Sequence, residues 1–158
     1  MKKEVIKKLR WGGRVLLGIY VACLIYFMFF SETYGRTMEH RDYQYNLVLF
    51  REIRRFIQYR DVLGPTAVFI NIVGNVAVFI PLGFALPLLF EKAQGFVRVM
   101  ILSFSTSLLA ETMQLILRVG CFDVDDLLLN TVGGCMGYLV FAAVYRYWKG
   151  TAGGKRKA

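Results

Sequence analysis

The sequence predicts an all-α membrane protein: a four-span transmembrane helical bundle with an amphipathic interfacial helix in its first extracellular segment. Three observations lead there. First, 95 of the 158 residues are Ala, Val, Ile, Leu, Met, Phe, Trp, Cys or Gly, about 60% against the 45–50% of ordinary soluble domains. Second, mean hydropathy is +0.47, which together with thirteen Phe and nine Tyr excludes intrinsic disorder and a coiled coil. Third, the apolar residues come in long blocks with the charges between them. The net charge of +9 is therefore no basic face on a soluble fold, and no nucleic acid is expected as a partner.

The four blocks follow in order along a membrane domain over 15–148. Val15 to Phe30 has 16 uncharged residues. It reaches spanning length, about 12–31, if Arg14 snorkels and Trp11 sits in the interfacial belt. The Lys-rich start resembles a secretory signal, but Ser31 to Tyr34 offers no small-residue cleavage site, so an uncleaved anchor is expected. Thr66 to Phe90 is 25 residues without a charge and predicts a span at about 66–90, begun by Gly64-Pro65 and kinked by Pro81 and Pro87. Val99 to Leu117 has the single charge Glu111, and Leu127 to Tyr145 has none; they predict spans at about 97–118 and 127–148. Each matches the roughly 20 apolar residues that cross about 30 Å of hydrocarbon. Residues 1–14 form a basic tail, and the Gly/Lys-rich end, 149–158, is expected to be disordered.

Orientation comes from the basic residues. With four spans, thirteen of twenty Lys and Arg fall on the two tails and the middle loop, against seven across the membrane. The positive-inside rule then gives a multi-pass protein of the cell membrane with both termini cytoplasmic and 31–65 outside. Membrane lipids are the first expected partners, the anionic ones above all; oligomeric state is not encoded. Within 31–65, the stretch Asn46 to Ile57 places Leu49, Ile53, Phe56 and Ile57 on one face, opposite Arg51, Glu52, Arg54 and Arg55. A helix of that kind lies on the outer membrane surface or simply caps the bundle. His40 reads as a solvated loop residue. Cys23, Cys121 and Cys135 supply no disulfide framework, no metal-ligand spacing is present, and the cofactor, if there is one, is not encoded.

Polar residues inside the spans carry the chemistry. Ser103, Ser107, Glu111, Gln114 and Arg118 recur at intervals of 4, 4, 3 and 4, one stripe on a helix of 3.6 residues per turn. A carboxyl in hydrocarbon costs about 2.5–3.5 kcal/mol on insertion scales, so Glu111 should face the bundle interior, as a structural hydrogen bonder or as a proton donor or acceptor. Asn71 and Asn75 lie one turn apart on the second span, as a binding pair or as glue between helices. The fourth span opens with Asp123, Asp125 and Asp126, followed by Asn130. Asp126 suits an N-terminal cap, and a divalent cation or an ion pair with Arg118 would use the other acids. Gly133 and Gly137 have the spacing of a helix-packing surface. With the topology above, Asn71, Asn75, Glu111 and Asn130 lie at about 6–14 Å beneath the outer surface. The expectation is an outward polar pocket. Glu111, Asp125 and Asp126 are its candidate catalytic groups, and Asn71, Asn75, Gln114, Arg118, Asp123 and Asn130 its substrate-binding groups.

Four stretches in order resemble the VanZ-like family: Asn46-Leu47-Val48-Leu49-Phe50; Asn71, Gly74 and Asn75 leading to Phe79-Ile80-Pro81-Leu82-Gly83; Glu111-Thr112-Met113-Gln114; and Asp123-Val124-Asp125-Asp126 through Asn130 to Gly133-Gly134. The similarity covers roughly 45–148, with Leu49 where the family often has proline. It implies a bacterial cell-envelope role of the kind that confers teicoplanin resistance on Gram-positive bacteria. Three function classes remain open. One is a factor that binds or shields a lipid-linked envelope precursor or the lipoglycopeptide itself at the outer leaflet. The second is an intramembrane acid–base enzyme using Glu111, for which no activated Ser, Cys or His nucleophile is evident. The third is a small lipid or solute transporter, which four spans without a repeat disfavour.

Overall fold

Glycine and proline punctuate this chain, and the helices fall between them. In the computed structural model, which describes residues 2–30 and 43–154, α1 is Lys2–Phe30 and β1 is Gln44–Asn46. Two short helices follow, α2 (Arg51–Gln58) and α3 (Arg60–Leu63). Gly64 then takes φ 81°, and Pro65 opens α4 (Pro65–Leu89), the position where its missing N–H costs nothing. A single 3₁₀ turn at Glu91–Ala93 and Gly95 at φ 131° lead into α5 (Phe96–Leu117). Arg118, left-handed at φ 55°, ends α5, and β2 (Cys121–Asp123) runs directly into α6 (Val124–Gly154).

Among the described residues, three helices are long and apolar enough to cross a membrane, over Val68–Leu89, Phe96–Leu117 and Val124–Lys149. The spans expected at 66–90, 97–118 and 127–148 agree with them closely. Residues 12–31 were expected to form a first span, and α1 is helical there through Phe30.

Four features depart from the sequence reading. The fold is not purely helical: β1 and β2 form a parallel pair, Gln44 opposite Cys121, Tyr45 opposite Phe122 and Asn46 opposite Asp123. Three residues a side are too few for a periodicity signal, and the pairing joins segments far apart in the chain. The amphipathic helix starts at Arg51, not Asn46, because Asn46 belongs to the ladder and 47–50 make the turn. The basic start is helical from Lys2 rather than a tail. At the other end α6 carries helix to Gly154, into the expected disordered tail. His40, the Ser31–Tyr34 stretch and 155–158 lie outside the described residues.

The bundle is organised around the α4–α6 contact. A Cβ added at Gly83 would meet the Gly134 carbonyl at 1.9 Å, one at Gly133 the Val76 carbonyl at 2.1 Å, and one at Gly137 the Ile80 carbonyl at 2.1 Å. The two backbones touch, which only glycine permits. The expected packing role of Gly133 and Gly137 is thus what the structure has. Phe79 is fully buried beside them. α5 packs on the same side of α6, its polar stripe inward. α1 is peripheral. Its Tyr20 hydroxyl donates to the Val78 carbonyl, next to Ala77, whose carbonyl has no α4 ladder donor because residue 81 is proline. Arg14 stacks on Phe90, and Arg10 pairs with Glu91 at 2.8 Å, so the basic end of α1 lies at the α4–α5 connection. Leu109, Ile116, Leu139 and Val144 stay exposed on the outer faces of α5 and α6, as a surface bounded by hydrocarbon requires.

A buried polar cluster under the cap

Where α5 ends and α6 begins, β1 and α2 close over the bundle and bury a set of polar side chains. The stripe on α5 is as the spacing predicts: Ser103, Ser107, Glu111 and Gln114 all face inward, Glu111 only 1% exposed. Arg118 breaks from the stripe. The left-handed turn at its own backbone swings it outside, where its guanidinium lies 4.4 Å over the Tyr43 ring. The expected ion pair with the α6 acids is replaced by that cation–π contact.

The three acids at the start of α6 divide their work. Asp123 is the residue before the helix, and its Oδ1 accepts the Asp125 amide at 2.8 Å and the Asn46 side-chain amide at 3.1 Å. The N-cap is therefore Asp123, not Asp126. Its own N–H donates to Glu111 Oε2 at 3.1 Å. Asp125, fully buried, reaches across to the other chain segment: Oδ1 accepts the Phe50 amide at 2.5 Å, and Oδ2 those of Glu52 and Ile53 at 2.9 and 3.2 Å. A carboxylate on α6 thus caps α2, satisfying amides that a helix start leaves open. Phe50, left-handed at φ 65°, is turned to aim its N–H there. Asp126 accepts from the Asn75 side chain at 2.5 Å, linking α4 to α6, with Asn71 half-buried one turn away. Asn130 donates to Ser107 at 2.9 Å, and Gln114 is buried beside Gly120.

So three sets of hydrogen bonds tie the elements together: Glu111, Asp123, Asp125 and Asn46 across α5, β2, α6 and β1, Asn75 with Asp126 between α4 and α6, and Ser107 with Asn130 between α5 and α6. Asn46 is the member that residue-level reasoning left out. The available signal was an amide heading an otherwise apolar run, Leu47 to Phe50, where an unsatisfied side chain would be costly. The electrostatics are uniformly acidic. Burial pushes the Asp123 carboxyl above the ordinary aspartate range, with the Asp125 charge adding to it. The Asp125 amide, Asn46 and the Arg55 guanidinium pull the other way. Burial likewise raises Glu52, although Arg55 sits 3.1 Å from it. The Cys121 thiol is raised by burial and then by Asp123, Glu52, Glu111 and Asp126. Among the described residues, no three His, Cys, Asp or Glu side chains are grouped to hold a metal ion. Chemically the cluster can lock the cap to the bundle.

Comparison with known proteins places this arrangement. No solved structure matches the chain. Protein VanZ of Enterococcus faecium is 30% identical over 130 residues, 82% of this chain and 73% of that protein. The VanZ/LLP1 family model matches residues 17–145, which takes in α1 as well as the blocks from β1 onward. On that coverage the chain belongs to the VanZ/LLP1 family.

Proposed function

We propose that this chain is a cell-envelope membrane protein that lowers susceptibility to lipoglycopeptide antibiotics of the teicoplanin type, by binding or shielding at the outer leaflet. It crosses the membrane four times, α1 being the first span, with both termini cytoplasmic and the cap of β1, α2 and α3 outside. The observation that carries the binding reading is the engagement of the acids. Asp123 and Asp125 are committed to backbone and side-chain amides, which suits a rigid cap better than a proton shuttle. The same bonds anchor the segment that carries the exposed Tyr45, Leu47 and Val48, an apolar surface that the proposed topology sets beside the outer headgroups. Lipid-linked envelope precursors and the lipoglycopeptide are the ligands such a surface fits.

Expression in a susceptible Gram-positive host tests this. Teicoplanin susceptibility should fall while the membrane's lipid-linked precursors stay chemically unchanged. A new or modified lipid species would overturn the binding reading in favour of acid–base catalysis at Glu111. Unchanged susceptibility at full membrane abundance would remove the resistance role.

A further inference from the structure

A second feature lies a quarter turn around α5 from the Glu111 face. α1 is held on α4, and between α1 and α5 it leaves an open groove of about 520 Å³. The groove runs from Val21 to Phe29 on α1 and from Thr106 past Ala110 to Leu117 on α5, ending at Val119. Among its described lining residues the one hydroxyl is Thr106, which donates to the Leu102 carbonyl of its own helix at 2.8 Å. The walls therefore offer nothing to a polar ligand. Thr106 to Leu117 spans about 16 Å of helix, close to half of the roughly 30 Å hydrocarbon core, the depth of one leaflet.

The mouth differs in character. Leu117 and Val119 both line the groove, and Arg118 stands between them, exposed and steadied over the Tyr43 ring. None of the ion pairs among the described residues uses it. An alkyl-shaped groove one leaflet deep, with an exposed guanidinium carried between the two residues that line its end and in none of the ion pairs among the described residues, matches one kind of molecule. We infer that the α1–α5 groove binds a single membrane phospholipid of net negative charge, its acyl chain along α5 and its phosphate at Arg118. This does not depend on the resistance reading, since the ligand is a constituent of the bilayer and the readout is binding.

Native mass spectrometry of the full chain, purified in detergent with equal amounts of phosphatidylglycerol and phosphatidylcholine of matched acyl chains, is the test. One phosphatidylglycerol should be retained in preference, by about five-fold for one Lys/Arg contact. Arg118→Asn keeps a residue that tolerates the left-handed backbone and should bring the ratio to about one. Arg118→Lys should preserve the preference, and Ala110→Phe, which fills the groove, should reduce retention of both lipids. Thermal unfolding of each variant confirms that it is folded. Equal retention by the parent, a preference that survives both Arg118→Asn and Ala110→Phe, or a dimer of the chain in place of the lipid-bound monomer would each overturn the assignment.

Discussion

Glu111 and Asp125 are both buried carboxyls, yet they bear different loads. Glu111 accepts the Asp123 amide, and a glutamine oxygen can do the same. Glu111→Gln should keep the protein folded, membrane-inserted and protective against teicoplanin, measured as drug susceptibility at matched abundance. Loss of protection in that variant would favour proton chemistry. Glu111→Leu strands the Asp123 N–H and should cost about 1–3 kcal/mol, read as a lower unfolding midpoint in detergent. Asp125 uses both oxygens on three amides, and an amide in its place would turn an NH₂ toward N–H donors. Asp125→Asn should therefore release the cap, at roughly 2–3 kcal/mol, seen as faster hydrogen exchange in residues 50–53. Asp123 sets a pH dependence. Its folded carboxyl is shifted upward, chiefly by burial, so the fold prefers the protonated form. Stability from that group is greatest below the ordinary aspartate range and is lost as pH climbs through the raised value. Unfolding midpoints between pH 4 and 8 should decline with pH, and Asp123→Asn, which retains the Oδ1 acceptor, should flatten the slope.

At the scale of elements, apolar length and glycine spacing were legible. Uncharged runs marked α4 and α6, and the intervals of 4, 4 and 3 put Ser103, Ser107, Glu111 and Gln114 on one face of α5. The small-residue spacing of Gly133 and Gly137 marked a packing face on α6, which the structure sets against α4. That contact makes a paired prediction. Gly83→Ala would drive a Cβ into the Gly134 carbonyl and should destabilise the bundle by about 1–3 kcal/mol or more. Gly74→Ala meets only the Ile70 side chain at 3.9 Å and should be neutral or stabilising by up to about 1 kcal/mol. Thermal unfolding of the two variants side by side checks the contrast. The strands were not legible, nor was the α2 cap, because a three-residue ladder and an aspartate reaching α2 from α6 leave no local pattern.

For the whole molecule, the thirteen-to-seven division of basic residues predicts the orientation. In a variant without Cys23, Cys121 and Cys135, a thiol reagent that cannot cross the membrane should label His40→Cys in intact cells and miss Lys155→Cys. The reverse pattern would invert the topology and place the cap inside. The sequence by itself determined that this is a membrane helical protein, where three of its helices run, and which polar side chains share one face of α5, because hydrophobic length and helical period are properties of contiguous residues. Only the tertiary structure decided how those polar groups pair. Asp123 caps α6, Asp125 caps α2, Asn46 joins the cluster and Arg118 leaves it for Tyr43. Each choice depends on a hydrogen-bonding or ring partner brought from elsewhere in the chain, and a buried polar group takes whichever partner the packing presents.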